Sequence, residues 1–301
     1  MELKAALGDI VAGTATDEDQ QRFRRWMRGN LMQAAAHFGL TLTGQATFGY
    51  RLRSISAATV GPEGPCWLRV VVEQHRWLPD DYWTGNVDAN AIVGVNKPYV
   101  LRTTEWNEPD LEVRVHADVM TLLSGRPCSA TDVLRAPLDL PDAWWSELRR
   151  SLDVVRTVPT TRFDQRGKEG WHVRRVYGEQ FADALRVDQF ETAHGDLHWS
   201  NLISPNFGLL DWEFWGHGTA GMDAASLYCF SLLVPEMASK VHEVFADILE
   251  TRAGHVAQVH MAASVIGRAE DEPEYTDLAG VLREHVQPII DAAAPVVAKH
   301  H

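Results

Sequence analysis

The chain of 301 residues is poor in three things, and each scarcity narrows its class. Cysteine is one: Cys66, Cys128 and Cys229 form an odd set, widely spaced and without a Cys-x-x-Cys pair. That argues against a disulfide-stapled scaffold and fits reduced thiols. Long apolar runs are another, since none approaches the ~20 residues of a membrane-crossing helix. Positive charge is the third, with 28 Lys and Arg against 41 Asp and Glu, a net of −13. Such a balance repels a phosphate backbone, so neither a nucleic-acid partner nor an anionic membrane surface is expected. No basic segment leading into an apolar core follows Met1, and a cytoplasmic location is the expectation. Internal repeats and low-complexity tracts are also missing, and the terminal Lys299-His300-His301 is assigned no function.

What remains is an ordinary globular mixture, 45% hydrophobic and 23% charged, in a length suited to two lobes. Thr16-Asp17-Glu18-Asp19 starts a helix in which Phe23, Trp26, Met27, Leu31, Ala34 and Phe38 recur at helical spacing up to Gly39. Strand-like stretches follow at 40–47, 50–60 and 66–73, with a Gly-Pro turn at 61–65. Residues 75–109 read as an irregular, elaborated connection with one apolar run, 91–95, and with room for a strand. A helix is expected over 110–124, with Leu111, Val115 and Leu122 on one face and Asp118 on that same face. A carboxylate there needs a cationic partner or a hydrogen-bond donor. The Pro-rich stretch 125–140 is the best boundary, dividing a first lobe, 1–125, from a second, 126–301. Beyond it, helices are expected over 142–156, 173–187, 223–234, 237–251, 254–268 and 276–297. The expected architecture is α+β: a small β-rich lobe followed by a larger helical one.

The helical half is interrupted at 192–216, where the chemistry-bearing residues gather. His194-Gly195-Asp196-Leu197-His198 leads to Asn201, then to the apolar pairs Leu202-Ile203 and Leu209-Leu210, then to Asp211-Trp212-Glu213. A hairpin turning at 204–208 brings Asn201 and Asp211 side by side. An amide oxygen beside a carboxylate is a hard-oxygen pair suited to Mg²⁺. Asp196, five residues before Asn201, can reach a bound hydroxyl. Phosphoryl transfer uses this set: metal-held phosphates and a separate carboxylate that orients the attacking hydroxyl. A buried hairpin with a polar cap is the plainer alternative. The His194-x-Asp196-x-His198 spacing, with Asp211 and His217, also allows a transition-metal hydrolase site.

These residues resemble the aminoglycoside phosphotransferase family of the protein-kinase-like superfamily, whose signature is His-Gly-Asp-x-x-x-x-Asn, an apolar strand, Asp-Trp/Phe-Glu/Asp, and a further Asp opening a helix. The last element corresponds to Asp223. The resemblance implies a two-lobed protein-kinase-like fold and ATP and Mg²⁺ as cofactors. It implies Asp196 as catalytic base, His194 as support for its loop, Asn201 and Asp211 as metal ligands, and Asp223 as a brace; Glu213 has no assigned role. It implies a nucleotide clamp in the first lobe, with Arg69 as strand cation, Asp118 as its helix partner, and Gly44 to Gly49 as the loop over the phosphates. Lys97 is a rival to Arg69. Arg69 points opposite to Leu68, Val70 and Val72 on its strand, as such a cation must.

The implied activity is ATP-dependent phosphoryl transfer to a hydroxyl of a small molecule, an aminoglycoside, another antibiotic or a metabolite. Kinase action on a peptide Ser or Thr and a catalytically silent binding module remain as alternatives. Trp199, Trp212, Phe214 and Trp215 are wall or core more readily than specificity elements.

Overall fold

A computed structural model describes residues 2–74, 80–163 and 170–293. It divides into two compact units, Met1–Asn90 with Pro98–Leu123, and Ala91–Lys97 with Ser124–His301. Against the expected lobes of 1–125 and 126–301, the crossover falls between Leu123 and Ser124, and a seven-residue excursion, Ala91–Lys97, groups with the second unit.

The first unit starts with α1 (Glu2–Ala12) and α2 (Asp17–Phe38). A capping box sets the start of α2: the Thr16 hydroxyl accepts from the Asp19 N–H at 3.2 Å, and the Asp19 carboxylate accepts from the Thr16 N–H at 3.2 Å. Gly39, at φ 65°, ends it in the left-handed conformation. Thr16→Ala is expected to cost about 1 kcal/mol of local stability, read as faster amide exchange in the first turn of α2. Unchanged exchange there removes the cap from the account.

The sheet of this unit contains β1 (Thr41–Leu42), β2 (Thr47–Phe48), β3 (Ser54–Gly61), β4 (Gly64–Gln74), β5 (Val100–Glu108) and β6 (Val113–Thr121). The order is β1-β3-β4-β6-β5, all antiparallel, with β2 also pairing β3. Helix α3 (Asp80–Asp88) precedes β5, inside the stretch expected to be irregular; residues 75–79 of that stretch lie outside the described residues. The apolar stripe of α2 packs on one sheet face, where Phe23, Met27 and Leu31 meet Leu68, Val70, Val72, Val115 and Ala117.

The helix expected over 110–124 is strand β6. Val113, Val115, Ala117 and Val119 are fully buried at period two, the pattern of a strand with one face in the core. The i+7 spacing of Leu111 and Asp118 fits either period, and the β-branched valines decide for the strand. Asp118 therefore lies on a strand directly opposite Arg69 of β4. The helix that precedes the last two strands is α3.

The second unit holds α4 (Asp142–Arg156), α5 (Trp171–Tyr177), α6 (Glu179–Ala184), α7 (Met222–Ser231), α8 (Pro235–Leu249), α9 (Arg252–Arg268) and α10 (Thr276–Ala293). The helix expected over 173–187 is broken in two at Gly178, which adopts φ 98°. Residues 294–297 of the last expected helix lie outside the described residues. Short strands lie in and around the interruption, β8 (Phe190–Ala193), β9 (Leu202–Ser204), β10 (Gly208–Leu209) and β11 (Gly216–Thr219), and β7 (Arg126–Pro127), from the start of the unit, joins them. They form a β10-β9-β7 sheet and a β11-β8 ribbon.

Three indoles anchor these strands from within. Trp144 of α4 stacks on Trp199 at 6.4 Å and donates to the Ile203 carbonyl at 2.8 Å. Trp199 donates to Ser231 of α7 at 2.9 Å, and Trp212 to the Leu209 carbonyl at 2.9 Å. Each buried ring thus satisfies its one polar atom. The excursion 91–97 runs beside β10: Leu209 N–H donates to the Asn96 carbonyl at 2.9 Å, and Ile92 and Val95 are buried. The short apolar run 91–95 is explained by that burial. Among the described residues no helix is long and apolar enough to cross a membrane.

Candidate active site

Strand β8 ends at Ala193, and the backbone then turns through His194, Gly195 and Asp196. Gly195 has φ 83°, and a Cβ there would lie 2.4 Å from the Phe214 carbonyl oxygen, so only glycine fits. The turn is held from behind by Asp223, in the first turn of α7. Its carboxylate accepts from the His194 N–H at 2.7 Å and the Gly195 N–H at 3.1 Å. Burial pushes the Asp223 carboxyl up, against the opposing pull of His194 and of these two N–H bonds. Asp223→Ala strands two backbone donors and is expected to destabilise the second unit by about 1–3 kcal/mol, seen as a lower urea midpoint. An unchanged midpoint would mean that the loop is held by something else.

His194 is buried; its Nε2–H donates to the Leu210 carbonyl at 2.8 Å, and its ring stands edge-on to Trp212 at 4.9 Å. It therefore ties the Asp196 loop to the segment between β10 and Asp211.

Asn201 joins two parts of the site. Its Nδ2 donates to the Asp196 carbonyl at 2.9 Å and lies 3.1 Å from His198 Nε2, which leaves its Oδ1 on the other edge of the amide. Its backbone carbonyl accepts from the Leu210 N–H at 2.8 Å, one residue past the β9–β10 pairing of Leu202 with Leu209. The hairpin thereby brings Asn201 next to Asp211. Asp211 adopts φ 57°, an uncommon conformation for a residue with a side chain, and such strain collects at functional positions. The donor set is an amide oxygen and a carboxylate, hard ligands that fit Mg²⁺.

Asp196 keeps a side chain 39% exposed, with Oδ2 at 3.5 Å from His198 Nε2. Burial alone would raise its carboxyl, but the hydrogen bond and charge of His198, with help from His194, hold it below the usual value. The partner responds in the opposite sense: burial disfavours charged His198, and Asp196, Asp132 and Asp211 together push its imidazole up.

Sequence reasoning gave His198 no part in positioning Asp196, and three residues beyond it were missed. His198 Nε2 is 3.6 Å from Asp132, whose other oxygen accepts from the Tyr275 hydroxyl at 2.6 Å. Asp132 and Tyr275 lie in separate segments, and nothing local marks them. Arg162, also missed, is buried and donates to the Trp215 carbonyl at 3.1 Å, holding the segment after Asp211.

The transition-metal alternative fails on placement. Among the described residues no three His, Cys, Asp or Glu side chains gather into a metal-holding group. His194 faces Leu210 and Trp212, whereas His198 faces Asp196 and Asp132.

The residues assigned to the nucleotide clamp lie in the first unit. Arg69 and Asp118 are directly cross-strand, and the Asp118 carboxylate is held by His116 Nε2 at 2.7 Å. Gly44 lies between β1 and β2, where a Cβ would meet only ordinary contacts. Gly49 follows β2; a Cβ there would lie 2.2 Å from Ser54 Oγ, and its N–H donates to the Ser54 carbonyl at 3.0 Å. That amide serves the hairpin itself. Lys97 is in the second unit, fully buried, with Nζ 5.7 Å from the Trp212 ring centre, and burial pulls its ammonium down to about 8. Of the four aromatics near the loop, Trp199, Trp212 and Trp215 are core, and Phe214 is 41% exposed.

No protein-family model matches the chain, and no curated protein matches it by sequence. Solved structures do. Aminoglycoside phosphotransferase APH(4)-Ia superposes with a TM-score of 0.59 at 12% identity, covering 87% of this chain and 98% of its own. Amicoumacin kinase hAmiN gives 0.58 at 12%, covering 87% and 93%. Choline kinase from Cryptosporidium parvum Iowa II gives 0.53 at 12%, covering 85% and 92%. With its sheet order, its helical second unit and the loop joining Asp196, Asn201 and Asp223, the chain has the protein-kinase-like fold that these small-molecule kinases share.

Proposed function

We propose that the protein is an ATP-dependent phosphotransferase acting on a hydroxyl group of a small molecule. The observation that carries this reading is the position of Asn201, whose amide is bonded to the Asp196 loop and whose backbone is paired beside Asp211. Asn201 Oδ1 and the Asp211 carboxylate would hold Mg²⁺, which when bound neutralises charge on the phosphates. Asp196 accepts a hydrogen bond from the acceptor hydroxyl and takes its proton as the oxygen attacks the γ-phosphorus of ATP, whose bond to the bridging oxygen breaks to release ADP. His198 and the Asn201 amide keep the Asp196 segment in place, and Asp223 fixes the turn before it. Arg69, Asp118 and the Gly44–Gly49 loop are the nucleotide-binding groups of the first unit.

The reading draws support from what the structural neighbours hold: APH(4)-Ia mutants are found with ADP or AMP-PNP and hygromycin B, and hAmiN with AMP-PNP, Ca²⁺ and Ami. The test is a screen for ADP release with Mg-ATP over antibiotics, amino alcohols, sugars and short Ser/Thr peptides. Acceptor-dependent ADP release with a small alcohol supports the proposal. Release with peptides alone would move the acceptor to a protein side chain. Mg-nucleotide binding without release from any acceptor would favour the silent binding module.

A further inference from the structure

The most concentrated positive charge in the described chain has no part in the site above. In α2, Arg24, Arg25 and Arg28 fall within five residues of a protein whose net charge is −13, and among the described residues no ion pair joins any of the three to a carboxylate. Arg22, their neighbour, is committed to Glu18 at 3.0 Å. Gln20, Arg24 and Arg28 repeat at i, i+4 and i+8, a single stripe of the helix. That stripe meets Phe48 at the end of β2: the guanidinium carbon of Arg24 lies 4.8 Å from the ring centre, and that of Arg28 lies 5.2 Å away.

Beside this stack is a cavity of about 480 Å³. Ile10, Phe48 and Leu52 supply apolar wall, and Gln20, Arg24 and Arg51 supply the polar groups; no carboxylate lines it. Its residues all belong to the first unit. A guanidinium stacked on an aromatic face keeps its N–H edge for a planar or tetrahedral oxyanion, and the stacking holds that edge in place before any ligand arrives. The turn that forms the opposite wall is strained, with Arg51 at φ 47° and Leu52 at φ 59°, and strained turns recur at ligand clamps.

We propose that this cavity binds a small organic phosphate, its oxyanion on Arg24 and Arg51 and its apolar body against Ile10, Phe48 and Leu52. The occupant braces the turn that follows Gly49, and so bears on the loop assigned to the nucleotide phosphates. The site is independent of Asp196, Asn201 and Asp211 and needs no metal.

Calorimetric titration with phenyl phosphate in excess chelator tests it, because Mg-dependent binding is then switched off and no turnover is required. One equivalent is expected to bind with Kd between about 10 µM and 1 mM, and inorganic phosphate, which lacks the apolar body, more weakly. Arg24→Gln should weaken phenyl phosphate about tenfold or more, since a charge-assisted pair is lost. Arg25→Gln, exposed and outside the cavity lining, should leave it unchanged, and Arg51→Gln provides a second lining variant with the same expected loss. No saturable binding to the wild type overturns the proposal. So does equal binding by folded Arg24→Gln and Arg51→Gln proteins, or an equal loss in Arg25→Gln, which would reduce the effect to diffuse charge.

Discussion

Asp196→Asn is expected to lower phosphoryl turnover by about 10²–10⁴-fold while leaving Mg-nucleotide affinity nearly intact, because a general base contributes on that scale. The substitution keeps the size of the side chain and its ability to accept from His198 and from an acceptor hydroxyl; what it removes is a place for the proton. The effect should therefore fall on turnover rather than on binding. His198 holds the Asp196 carboxyl below its usual value, so the group is ionised at neutral pH and ready to accept. Single-turnover measurement with any accepted hydroxyl checks this. Turnover equal to wild type takes Asp196 out of the base role.

Asp211→Ala is expected to weaken Mg-dependent nucleotide binding by more than about 100-fold. Groups that merely orient metal ligands already contribute about 10–100-fold, and Asp211 is assigned as a ligand itself. The left-handed backbone at Asp211 complicates the variant, since alanine at φ 57° is itself disfavoured by about 1–2 kcal/mol. Asp211→Asn, which retains the shape but not the charge, and Asp211→Gly, which relieves the backbone, separate the two effects. Titration of nucleotide with Mg²⁺ and with chelator isolates the metal-dependent part. A normal Mg-dependent increment in folded Asp211→Ala would contradict the ligand assignment.

The legibility of this protein followed sequence distance. Asp196, Asn201 and Asp211 lie within sixteen residues, and a two-strand hairpin with polar ends leaves the chain few ways to arrange them. The hairpin was accordingly readable, as was α2, with its capping box and its terminal glycine. The stretch 110–124 was not, because Leu111, Val115, Asp118 and Leu122 satisfy a helical period while Val113, Val115, Ala117 and Val119 satisfy a strand period. Only the pairing of β6 with β4 and β5 separates those patterns, and pairing is a property of distant residues. The consequence reached the site assignment: the carboxylate expected on a helix opposite Arg69 is on the adjoining strand, held by His116. Lys97 shows the same limit. Its place beside Trp212 depends on Asn96 pairing with β10, more than a hundred residues later.

By itself, the order of residues determined the loop from His194 to Asp211 and which oxygen-bearing side chains it carries, because those depend on side-chain type and on spacings of a few residues. It also determined which segments are amphipathic, and so the β-rich first half and the helical second. Tertiary structure alone decided what surrounds that loop, Asp132 and Tyr275 behind His198 and Arg162 along the segment after Asp211; within the first unit it alone formed the arginine-lined cavity where α2 meets the turn after β2. Local preferences are settled within a turn or a hairpin, whereas these contacts cost loop-closure entropy that only the whole packed core offsets.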